Sequence, residues 1–159
     1  MSEQELKQEI AQYVKDIPYG VLAYVRADGV PLQRTFGAFA FDQDDVVFSS
    51  HKAAAKVAAI ANHPQVTFFL ERMDQELNNW KSVLYIGEAA LIEDPKDLAW
   101  ALAALAARSP FIKDMVERNQ TGDFSLFRLR TSAIEYVDYG KGFGHVDKLT
   151  AGKHSAAKV

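Results

Sequence analysis

Cysteine is absent from this 159-residue chain, which excludes disulfides, thiolate metal sites, iron–sulfur ligation and a cysteine nucleophile. Histidine is scarce too. His51, His63, His145 and His154 form no His-x-x-x-His pair and adjoin no cluster of acids in the sequence, so no metal centre is expected. Excess positive charge is also missing: the formal net charge is −3, so no basic field draws the chain to nucleic acid. No apolar run approaches the roughly 20 residues of a membrane-spanning helix. The opening Met-Ser-Glu-Gln-Glu lacks the basic region and apolar run of a secretory signal. The expectation is a cytoplasmic protein with neither membrane nor nucleic-acid partners.

What is present is ordinary for a folded globular domain: 48% hydrophobic, 25% charged and 11% aromatic residues. The length suits one domain spanning 1–159. Ser2 and Glu5 have capping-box spacing, with Leu6, Ile10 and Val14 following at helical intervals, and predict a helix to about Lys15. Two runs rich in Val, Tyr and Phe, 17–26 and 32–41, flank Ala27-Asp28-Gly29 and predict a hairpin. Val46-Val47-Phe48 reads as a third strand ending in Ser49-Ser50. Residues 52–61 read as an alanine-rich helix halted at Asn62-His63-Pro64. Residues 66–70 and 80–92 read as further strands. Asp94-Pro95 opens a helix through 98–107, residues 111–118 continue helically, and 124–138 is a last long strand.

Strands in adjacent pairs, without regular strand–helix alternation, indicate a mainly β fold: a barrel of six mainly antiparallel strands with flanking helices. Strands such as Val21-Leu22-Ala23-Tyr24-Val25 are apolar on both faces, and a homodimer explains this economically. Residues 140–159 lose hydrophobic periodicity and read as a mobile or partner-embracing tail.

Arg34 lies among apolar neighbours on one strand, and another delivers Ser49 and Ser50 to the mouth of a helix bearing Lys56. Helix amides, hydroxyls and two cations make a phosphate cradle. The competing reading is that Ser50 merely caps the helix while Arg34 and Lys56 are solvated. In order, Arg34, Ser49-Ser50, Lys56 and Asn62-His63-Pro64, with Val83-Leu84-Tyr85-Ile86-Gly87-Glu88-Ala89 and Ile134-Glu135-Tyr136-Val137, resemble the motifs of the pyridoxamine 5′-phosphate oxidase-like, FMN-binding split β-barrel superfamily. The resemblance covers roughly residues 17–149.

That resemblance implies a homodimer holding FMN between its subunits and a small-molecule substrate. Arg34, Ser50 and Lys56 would grip the phosphate. Thr35, Phe36 and Ser49 would lie along the flavin, and Ser82 stands where the oxidase usually has a glutamine near the cofactor. Ala54-Ala55 replaces a Ser-Arg pair, and Val137 replaces a tryptophan. The oxidase's substrate-reading Arg-x-His is here Phe143-Gly144-His145, which argues against that oxidase's own reaction. The functional expectation is therefore an FMN-dependent oxidoreductase on an unassigned small molecule. The alternatives are a noncatalytic flavin carrier or sensor, a deazaflavin protein, and a heme-binding or heme-degrading protein using His145 as ligand.

Overall fold

The computed structural model describes residues 1–150 and 153–159. Helix α1 (Glu3–Val14) starts at the expected capping box: the Glu5 amide donates to the Ser2 hydroxyl, and the Ser2 amide donates to the Glu5 carboxylate. Leu6, Ile10 and Val14 form its buried stripe. Strands β1 (Gly20–Val25) and β2 (Pro31–Phe36) form the hairpin, turned at Gly29 with φ of +87°. Then come β3 (Phe39–Asp42), β4 (Asp45–His51), α2 (Ala55–Asn62), β5 (Gln65–Glu71) and β6 (Lys81–Leu91). Helix α3 (Pro95–Arg108) is capped by Asp94, which accepts from the amides of Lys96 and Asp97. Helix α4 (Pro110–Glu117), β7 (Phe124–Asp138), β8 (His145–Thr150) and β9 (Lys153–Lys158) complete the chain. No described helix is long and apolar enough to cross a membrane.

The strands pair antiparallel in the order β2-β1-β5-β6-β7-β4-β3, with β8 and β9 continuing from the far half of β7. Strands β2 and β3 thus lie at opposite ends of the path, yet only Gly37 and Ala38 connect them. Trans peptides allow Phe36 and Phe39 a Cα separation of at most about 11 Å. The sheet must therefore curl until its ends adjoin, making a mainly β half-barrel with flanking helices. Its interior is aromatic: Phe39 meets Phe68 at 5.1 Å, Phe36 meets Phe48 at 5.4 Å, and Phe48 stacks on Phe127 at 5.3 Å. Outside, Ala101, Leu105 and Ile112 of α3 and α4 cover Ala40, Val47 and Leu126.

Three expectations change. The strand read over 32–41 breaks at Gly37-Ala38, because its halves join opposite ends of the sheet. The helix read from Lys52 begins only at Ala55, after a turn in which the Ala54 amide bonds the His51 carbonyl. The described residues of the tail over 140–159 are largely a β-hairpin, and the described sheet has nine strands rather than six. Its anchor is Val146 and Leu149, buried against Val137 and Ile134 of β7; residues 154–158 are exposed, without an alternating apolar face, which hid the strand pattern.

Gly87 marks a register shift between β6 and β7, where a Cβ would collide with the Arg130 carbonyl. Gly87→Ala is expected to destabilise the fold by about 1–3 kcal/mol, the cost of overpacking against backbone. Urea unfolding measures it as a lower midpoint at unchanged slope.

Candidate functional site

The seam of the barrel opens as a cavity of about 940 Å³. Strand β2 brings Arg34, Thr35 and Phe36 to it, β4 brings Ser49 and Ser50, and α2 brings Lys56. Six of the seven expected site residues therefore share one wall. Ser82 does not line this cavity; it is buried in β6, opposite Glu71 on β5 and Val137 on β7.

The electrostatics of this wall are unbalanced. Among the described residues neither Arg34 nor Lys56 has a carboxylate within ion-pair distance. The Arg34 guanidinium is exposed and donates to the neighbouring Gln33 carbonyl at 2.7 Å. Lys56 is half-buried, its ammonium 5.6 Å from the centre of the Phe36 ring. Burial, and then the charge of Arg34, hold its pKa below the ordinary lysine value. Ser49 and Ser50 are both buried. Ser50 does not cap α2; among the described residues its hydroxyl makes only a 3.4 Å bond to the His51 carbonyl. The N-cap is Ala54, without a side-chain cap, so first-turn amides of α2 lack a side-chain acceptor.

Sequence reasoning missed several neighbours. Arg108, at the end of α3, donates to the carbonyls of Lys15 and Ile17 at 3.1 and 2.9 Å, and its guanidinium lies 4.6 Å from the centre of the Phe39 ring. Burial lowers its pKa. His51 lines the cavity, its Nδ1 accepting from the Ala53 amide. The only sequence signal for Arg108 was a cation in a helix's last turn. A smaller, mostly apolar cavity of about 400 Å³ adjoins the first, sharing Thr35 and the 16–19 segment.

Two other candidates lie elsewhere. Trp80 anchors a strand end, its Nε1 donating to Glu71 at 3.0 Å. His145 does stand beside an acid: its Nε2 lies 3.1 Å from buried Asp147, out of line for a hydrogen bond, and His154 meets the same carboxylate at 2.7 Å. The register explains the convergence, because Asp147 is two residues from His145 and diagonal to His154 across the hairpin.

Residues 6–138 match the family model described as pyridoxamine 5′-phosphate oxidase. The chain belongs to that family. No curated protein matches it in sequence. Among solved structures, a pyridoxamine 5′-phosphate oxidase-related, FMN binding protein from Nostoc punctiforme superposes with a TM-score of 0.69 at 20% identity, covering 100% of this chain and 99% of that one. A heme binding protein from Mycobacterium smegmatis superposes at 0.75 and 20% identity over 91% of this chain; the match spans 57% of that protein's length. HutZ, a heme storage protein of Vibrio cholerae, superposes at 0.65 and 23% identity, covering 82% of this chain and 91% of that one. This family member thus shares its split-barrel fold with both FMN-binding and heme-binding proteins.

The depressed Lys56 pKa has a sign. Between that value and the ordinary 10.5, the unfolded chain binds more protons at this residue than the folded one, so its contribution to folding stability rises with pH. Subtracting the urea-unfolding stability of Lys56→Met from that of the parent, at successive pH values, should give a difference rising through that window. A flat difference would mean that Lys56 is not perturbed.

Proposed function

We propose that this protein binds FMN at the barrel seam and acts as an FMN-dependent oxidoreductase on a small molecule. The carrying observation is the pair of cations without counter-ions, Arg34 and Lys56, beside Ser49 and Ser50 on the wall of a cavity of nucleotide size. Two cations with no carboxylate within ion-pair distance among the described residues, beside two serine hydroxyls, suit a dianion. A bound phosphate supplies the missing counter-charge and reverses the depression of Lys56.

Arg34, Lys56 and the Ser50 hydroxyl hold the phosphate in this reading, while Thr35, Phe36 and Ser49 lie along the rest of the cofactor. The flavin, when bound, supplies the electron-accepting and electron-donating ring. The chain's own work is to bind, orient and screen that ring from water. The adjoining apolar cavity at Thr35 is room for a small substrate. Exposed aromatic residues near the seam, Tyr19 at 64% and Phe111 at 61% exposure, support a homodimer with a second copy against the site.

A heme-binding reading draws support from the names of the fold relatives. In this chain, however, His145 adjoins Asp147 and does not line the cavity. The absorbance spectrum of the purified protein separates the two, with flavin bands on one reading and a Soret band on the other. Turnover with nicotinamide donors and a panel of acceptors separates an enzyme from a carrier.

Each charged hydrogen bond lost from the phosphate carries about 1.5–3 kcal/mol, and each 1.4 kcal/mol is a factor of ten. Arg34→Ala or Lys56→Ala should therefore weaken FMN roughly 10–150-fold. Riboflavin, which has no phosphate, should bind weakly to the parent and be little changed by either substitution. Titration followed by flavin fluorescence quenching reads both, and equal losses for the two flavins would remove the phosphate assignment.

A further inference from the structure

A separate cavity of about 240 Å³ lies beneath α1, with Arg108 in its wall as well as in that of the seam cleft. Ile10 and Val14 of α1, Phe41 of β3 and Ile134 of β7 give it apolar sides. It has room for several waters or for one small organic molecule. Tyr85 also lines it. That side chain is only 3% exposed, and its hydroxyl has no hydrogen-bond partner among the described residues. The hydroxyl is open to the cavity rather than sealed in the core, so it can donate to an acceptor that enters there. Burial raises its pKa, which keeps it protonated and a donor at neutral pH.

The second donor is Arg108. Its bonds to the Lys15 and Ile17 carbonyls leave N–H groups to spare, and no carboxylate pairs with it among the described residues. The charge balance of the lining favours an anion. Lys7, Lys15 and Arg108 face one carboxylate, Asp44, which Lys7 already holds at 2.9 Å. Lys7 also reaches Glu3 at 3.1 Å.

We propose that this cavity is a binding site for a small monocarboxylate with an apolar body. Its carboxylate accepts from the Tyr85 hydroxyl and the Arg108 guanidinium, and its hydrocarbon part packs against Ile10, Val14, Phe41 and Ile134. A neutral hydrocarbon would offer no acceptor to the Tyr85 hydroxyl or to the spare N–H groups of Arg108. Because Arg108 also holds the Lys15–Ile17 backbone at the edge of the seam cleft, occupancy here bears on that cleft's rim. The site itself uses neither Arg34 nor Lys56 and stands apart from the flavin reading.

Benzoate is the probe, titrated into the purified protein by calorimetry and by methyl NMR of the isoleucines and valines. The expected result is saturable binding that shifts Ile10, Val14 and Ile134, with benzyl alcohol binding more weakly. Tyr85→Phe should weaken benzoate roughly tenfold, as the loss of one hydrogen bond to a charged group does. Its unfolding temperature should stay at or above the parent's, since the hydroxyl loses no partner in the protein. Arg34→Ala should leave benzoate affinity unchanged. The proposal is overturned by absent saturation in the parent, by equal affinity in the parent and Tyr85→Phe, or by loss of benzoate binding in Arg34→Ala, which would put the acid in the seam cleft instead.

Discussion

The structure hangs on the two-residue connection, Gly37-Ala38, between the opposite ends of the sheet. Such a link leaves no freedom: the sheet curls or the chain cannot be joined. Curling brings the Phe36 ring next to Phe48 and Phe68, so the aromatic core and the closure support one another. Strands β2 and β3 are not paired with each other. The barrel is therefore closed by side chains and one covalent link rather than by a ladder, and a cleft remains along the seam. The candidate site is the opening that this incomplete closure leaves.

Position at the seam also accounts for the chemistry of the wall. Arg34 lies two residues before the end of β2, and Ser49 and Ser50 stand near the end of β4, so both sets of donors arrive at the same rim from opposite ends of the sheet. Lys56 follows on the helix that leaves β4. Burial, and after it the charge of Arg34, depress the Lys56 pKa. Two other partly buried cations are compensated: Arg128 reaches both Asp42 and Asp45, and Lys141 reaches Glu9 and Asp147.

The C-terminal hairpin illustrates a different balance. Asp147 is almost wholly buried, yet its carboxyl is held below the ordinary aspartate pKa, because contacts from His154, His145 and Lys141 outweigh the desolvation that would raise it. Lys141 carries the connection onward to Glu9 of α1, which accepts from the Tyr136 hydroxyl. Besides buried Val146 and Leu149, the segment is thus tied to the barrel by polar contacts, for which hydrophobic periodicity gives no sign.

Local signals determined what local physics controls. Ser2 with Glu5, Asp94 with Pro95, and the Gly29 turn each act within a few residues, and each element start they marked is found in the structure. Ordered motifs carried the family, and with it the wall of Arg34, Thr35, Phe36, Ser49, Ser50 and Lys56. Only tertiary structure decided that residues 32–41 are two strands, that residues beyond 140 form a hairpin, that Ser82 lies away from the seam within this chain, and that Arg108 faces two cavities. These features depend on contacts between residues far apart in sequence, such as Arg108 with Lys15 and Ile17 or Val146 with Val137. Pairings of that range leave no period in the chain, because the partner's position is set by the curl of the whole sheet.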